Sequence, residues 1–184
     1  MIMPIRSVAI FCGSRKGNNP IYAQQAVEAG RLLAAKQCKI IYGGGSIGLM
    51  GLVADEVMRG GGWVTGIIPK LLVEWEVEHR AISELIVCDD MHQRKLMIYS
   101  KADAALILPG GFGTLDELFE ILTWNQLTLH DKEIFILNSA GFYNSLIDHI
   151  NTMHAEGFLD ESNLKKIHII QRPLELLPLL DEIK

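Results

Sequence analysis

The stretch AALILPGGFGTLDELFEILTWNQL, residues 104 to 127, joins a short apolar run, a turn rich in glycine, and an amphipathic run. Apolar residues that end at Pro109 suit a strand covered on both faces, and LDELFEILTWNQL has the spacing of a helix. Strand, glycine turn and helix in that order make one half of a parallel β-α-β unit. The same alternation runs outward in both directions. Further strand-like runs are SVAIFC, CKIIYG, WVTGIIP, ELIVC, EIFILN and KIHII. Helical spacing predicts helices over 20–36, where Tyr22, Ala26, Ala29 and Leu33 form one stripe, and over 48–59, 90–101, 114–127 and 142–156. This pattern predicts an α/β fold: a Rossmann-like, doubly wound, mainly parallel sheet of about seven strands with helices on both faces. No repeat or linker-like shift in composition interrupts it, so residues 1–184 read as a single Rossmann-like nucleotide-binding domain.

Composition removes several classes of function. The net charge of -5 leaves no broad basic surface, which argues against binding of nucleic acid through its phosphates. No apolar run approaches the roughly 20 residues of a membrane span, so the expectation is a soluble, cytoplasmic protein with no membrane partner. Cys12, Cys38 and Cys88 are widely separated and lie in apolar runs, which suits buried free thiols. They have neither zinc spacing nor a catalytic context, and no metal is expected.

In sheets of this kind ligands sit beyond the carboxyl ends of the strands, so the residues just after each strand carry the functional reading. The first such turn, CGSRKGNNP, holds Ser14 and leads to Pro20, a good first residue for a helix. In the second, YGGGSIGLMG, Gly43, Gly45 and Gly48 match the dinucleotide spacing G-x-G-x-x-G. That pattern also needs an acidic residue at the end of the next strand, where this chain has GIIP, so a nicotinamide dinucleotide is not expected. Gly43, Gly44 and Gly45 read instead as backbone that can approach a ligand closely. The third turn, PGGFGT, places Gly110, Gly111, Gly113 and Thr114 at a helix start, where unpaired N–H groups and the helix dipole favour an anion. No P-loop lysine follows these glycines, which favours a monophosphate over a triphosphate.

Glu117 has two readings on spacing alone. TLDE is a capping-box pattern, with Thr114 as cap and Glu117 reaching back; the carboxylate could equally face a ligand. DDMHQRK places Arg94 and Lys95 near the start of a helix, where the dipole disfavours cations. An Asp90–Arg94 pair or an anionic ligand would offset that. Met50, Met91 and Met97 read as packing residues, and His92 as a surface residue.

Taken in order and with their spacing, CGSRKGNNP, YGGGSIGLMG, GIIP, DMHQRK and PGGFGTLDE resemble the LOG (Lonely Guy) family of cytokinin riboside 5'-monophosphate phosphoribohydrolases. The resemblance runs to about residue 156. It implies hydrolysis of the N-glycosidic bond of a nucleoside 5'-monophosphate, with Glu117 and Arg94 catalytic. It also places Lys95, Glu76 and Thr123 in contact with substrate, needs no cofactor, and implies a homodimer or larger homo-oligomer. Trp124 could serve that interface or pack in the core. Related sequences have carried the label lysine decarboxylase, yet no Schiff-base lysine with supporting partners is readable here. Arg15, Asp116 and the loop VEWEVEHR depart from the family pattern and leave the preferred base open. The other reading of the same motifs is a non-catalytic protein that binds a nucleotide or phosphorylated cofactor.

Overall fold

The computed structural model describes residues 5–73 and 78–181. All seven expected strands form: β1 Ser7–Phe11, β2 Lys39–Tyr42, β3 Val64–Pro69, β4 Glu84–Cys88, β5 Ala104–Ile107, β6 Glu133–Leu137 and β7 Ile167–Ile170. They make one sheet in the order β4-β3-β2-β1-β5-β6-β7, and every pairing is parallel. The main helices are α1 Pro20–Ala35, α2 Gly48–Arg59, α3 Met91–Lys101, α4 Phe112–Gln126 and α5 Asn144–Ala155; α6 Glu161–Leu164 and α7 Leu176–Asp181 are short.

Side chains on a strand alternate between faces, so a strand covered on both sides must be apolar throughout. β1 shows this directly. Val8 and Ile10 join the core beneath α1 and α2 with Leu33, Val53 and Val57. Ala9 and Phe11 join the opposite core with Ile98 and Tyr99 of α3 and Leu118 and Ile121 of α4. Burying both faces at roughly 25 cal/mol per Å² of apolar surface is the main stabilising contribution to such a sheet.

The order of the strands positions the site. From β1 the chain crosses to β2 on one side, while β5, on the other side, is reached only after β4 and α3. The connections leaving β1 and β5 therefore diverge, and a crevice opens at their carboxyl ends. Three turns meet there, because Gly13 N–H donates to Pro109 O at 3.0 Å and Leu49 N–H donates to Gly13 O at 3.0 Å. The irregular connection after β3 begins with a 3-10 turn, Lys70–Leu72. Beyond it His79 N–H donates to Gly44 O, and the His79 ring meets Asp55 of α2 at 3.0 Å.

Candidate active site

The cap of α4 lies three residues earlier than the capping reading requires. The helix starts at Phe112 with Gly111 as its cap residue, and no side chain caps it. Thr114 is thus the third helical residue and Glu117 the sixth, so the Thr114–Glu117 capping box does not form. Gly110 permits the early start: a Cβ there would lie 2.1 Å from Thr114 Oγ1, and Thr114 packs into that space only 4% exposed. The N–H groups of the first turn have no acceptor within the helix. They face the crevice at the positive end of the dipole, with no side chain at Gly111 or Gly113 to obstruct an anion.

α3 supplies the opposite wall. Asp90 caps it, accepting from Gln93 N–H at 2.8 Å, so its carboxylate serves the helix start. Arg94 turns inward and is 4% exposed. Its Nη2 donates to Gly43 O at 3.1 Å, and its Nη1 lies 3.8 Å from Met91 Sδ. Gly43 makes this possible, since a Cβ there would stand 1.8 Å from Nη2.

Lys95, the second cation, points away from the cleft toward α4, with Nζ 2.6 Å from Asp116 and 3.4 Å from Glu120. Burial pulls its pKa down, but the two carboxylates outweigh that and raise it. These contacts offset the unfavourable position of a cation in the first turns of α3. Beside them the Tyr99 hydroxyl lies 3.1 Å from Glu117 O and 2.9 Å from Glu120 Oε2. Burial, and then the charges of Glu120 and Glu117, hold this phenol protonated. Lys95 and Tyr99 together fix α4 against α3, and so fix Glu117 relative to Arg94.

The resulting cleft holds about 280 Å³. Ser14, Gly43, Arg94, Gly111, Gly113, Thr114 and Glu117 all line it. Gly110 lies behind it, on a neighbouring cleft. Gly44 and Gly45 are not brought to it: Gly44, at φ +79°, packs against Ile68 and Leu85, and Gly45 bridges to Glu78. Thr123 lies roughly 13 Å further along α4 than Thr114 and donates to Phe119 O at 2.7 Å. Glu76 lies outside the described residues.

Among the lining residues that escaped the sequence reading are Cys12, Met50, Leu72, Met91 and Phe112. Met91 stands three residues before Arg94, a spacing that puts both on one helical face and could have revealed it. Cys12 follows the last residue of β1, the strand at the switch point. Its burial, then the charge of Glu117, raise the thiol's pKa, so it stays protonated. Phe112 is 94% exposed at the mouth. Trp124, half-buried, packs edge to face on Tyr99 at 5.1 Å at the margin of the core. Among the described residues no group of His, Cys, Asp or Glu is arranged to hold a metal, and no lysine lines this cleft.

A family model described as "Possible lysine decarboxylase" matches residues 50–180. The chain is 44% identical over 177 residues to "Probable cytokinin riboside 5'-monophosphate phosphoribohydrolase LOGL2" of Oryza sativa subsp. japonica, covering 96% of this chain and 72% of that one. It is 45% identical over 154 residues to "Cytokinin riboside 5'-monophosphate phosphoribohydrolase LOG1" of Arabidopsis thaliana, covering 84% and 72%. The chain belongs to the LOG family. Among solved structures, the molybdenum cofactor binding protein of Rippkaea orientalis superposes with a TM-score of 0.73 at 20% identity, over 97% of this chain and 96% of that one. At that identity the likeness concerns the fold alone. Of the motifs that carry the LOG resemblance, CGSRKGNNP, YGGGSIGLMG, DMHQRK and PGGFGTLDE each contribute residues to this one cleft.

Proposed function

We propose that the protein hydrolyses the N-glycosidic bond of adenosine 5'-monophosphate, plain or N6-modified, releasing the free base and ribose 5-phosphate. One observation carries this reading: a buried guanidinium and a carboxylate share a cleft with an uncapped helix N-terminus at the switch point of the sheet. The first turn of α4 suits a 5'-phosphate, which directs the ribose toward Glu117. Cleavage breaks the bond from C1' to the base nitrogen, and its electron pair leaves with the base. Positive charge then develops on the ribose ring, where the Glu117 carboxylate can stabilise it. The oxygen of water adds to C1', and one proton from water ends on the departing base. Arg94, oriented by Gly43 O, can counter charge on the phosphate or on the leaving base. The names of the relatives support the same reaction, with a cytokinin as the base when the N6 group is an isoprenoid.

Incubation with AMP and with N6-isopentenyl-AMP, followed by chromatography for free base, tests this. Release from neither overturns the reading. Glu117→Gln should lower turnover about a thousandfold while AMP affinity changes by less than about threefold. A binding protein without chemistry would release no base in either form.

The LOG reading carries with it a homodimer or larger assembly in the cytoplasm. Supporting the assembly is an apolar groove between α4 and α5, lined by Phe119, Leu122, Ile150 and Met153, with Leu127 and Leu129 exposed at the end of α4. Sedimentation of the purified protein checks it. The buried free thiols of Cys12, Cys38 and Cys88 suit a reducing compartment. No helix among the described residues is long and apolar enough to cross a membrane.

A further inference from the structure

A second cleft, of about 350 Å³, adjoins the first across the turns that follow β1 and β5. Gly13, Ser14 and Gly111 line both, so the two clefts share a wall. Its walls are apolar, with Tyr22, Leu49, Pro109 and Phe142, and the rings of Tyr22 and Phe142 meet edge to face at 5.5 Å. Arg15 and Lys16 stand exposed at its rim, and no carboxylate lines it. Neither cation forms a hydrogen bond or ion pair through its side chain with any described residue, whereas Arg31, Arg59, Lys95 and Lys166 are each held by carboxylates. In a chain of net charge -5, two such cations over a wall free of acid make a local site for an anion.

We propose that this second cleft receives the part of a nucleotide that lies beyond its 5'-phosphate. Nucleoside 5'-diphosphates and their pyrophosphate-linked esters would then bind across both clefts. The inference rests on the placement of the 5'-phosphate at the start of α4, as in the function proposed above. Gly111 lines both clefts, so a phosphate held there stands where the two adjoin. With the ribose directed to Glu117, a group attached to the far side of that phosphate must enter the second cleft. Arg15 and Lys16 meet the charge of the second phosphate, a role that no P-loop lysine fills in this chain. Tyr22 and Phe142 offer an apolar face to whatever that phosphate carries.

Calorimetric titration with AMP, ADP and ADP-ribose tests this on the wild type and on the double variant Arg15→Ala, Lys16→Ala. Both side chains are exposed, so an unchanged melting temperature is expected and is measured alongside. ADP and ADP-ribose should compete with AMP and bind at least as tightly. The double variant should lose roughly five- to tenfold in affinity for both, and less than about twofold for AMP. The proposal is overturned if ADP binds beside saturating AMP, if the variant weakens AMP as much as ADP, or if it weakens neither. Base release from AMP and from N6-isopentenyl-AMP is scored on the same preparation, and failure means release from neither. Failure there sinks the phosphoribohydrolase reading and leaves the titration readable, whereas base release with indifferent ADP binding sinks only the second-cleft assignment.

Discussion

In the turn between β2 and α2, a Cβ on Gly43 would stand 1.8 Å from Arg94 Nη2, and one on Gly48 2.2 Å from the Ser14 carbonyl carbon. In the turn between β5 and α4, a Cβ on Gly111 or Gly113 would meet nothing within 4 Å. The two turns look alike in sequence and sit at equivalent strand ends, but their glycines answer different requirements. Gly43 and Gly48 are small because protein fills the space beside them, which is how Arg94 reaches the cleft and how the β1 and β2 turns touch. Gly111 and Gly113 face open space at a helix N-terminus, where the fold itself makes no use of their smallness. A glycine that packing does not need, beside orphan N–H groups, is the stronger mark of a ligand.

Substitutions can break or sharpen this contrast. Gly48→Ala should have the largest effect, because φ is +67° there and the new methyl meets backbone. A loss of at least about 3 kcal/mol is expected in chemical denaturation. Gly43→Ala should displace the Arg94 guanidinium and reduce kcat/KM about a hundredfold, close to 2.7 kcal/mol of transition-state stabilisation, as steady-state kinetics would show. Gly113→Ala should separate the turns most clearly. The methyl meets no protein atom and alanine favours the helix, so stability should rise by about 0.5 kcal/mol. KM for AMP should nevertheless rise about tenfold, since the methyl stands where the phosphate approaches. Equal stability losses at Gly48 and Gly113 would dissolve the distinction.

The smallest effect concerns the brace that relates the α4 turn to Arg94. Lys95→Met should remove about 1 kcal/mol at pH 7, a fall of a few degrees in Tm. The sign of its pH dependence follows from the raised pKa of Lys95. A cation whose pKa is higher in the folded state contributes fully below the ordinary lysine value near 10.5, and the contribution fades as pH climbs through the raised value. Melting curves of wild type and variant should therefore stay separated at neutral pH and converge in strongly alkaline solution.

The seven strands were legible because burial on both faces leaves an unbroken apolar run, and all seven appear within a residue or two of the predicted bounds. The start of α4 was read two residues late, since a Thr-x-x-Glu pattern imitates a cap while the true cap, Gly111, has no side chain to advertise it. Arg94 and Glu117 were singled out partly from spacing and chiefly from the LOG resemblance. Lys95 was assigned to substrate by that resemblance, but its ammonium lies against Asp116 and Glu120, which no local pattern on α3 could reveal.

By itself the sequence determined which segments become strands and helices, which turns lack side chains, and the scarcity of positive charge. Each of these is a local property, written in the period of apolar residues or in a single position. The tertiary structure alone decided that Arg94 reaches Gly43 across 51 residues, that Gly43 and Gly48 are hemmed in by protein while Gly111 and Gly113 stay open, and that Arg15 and Lys16 rim a second cleft. Those outcomes depend on the order of strands in the sheet. That order brings distant strand ends together, and no periodicity within one segment encodes its neighbours.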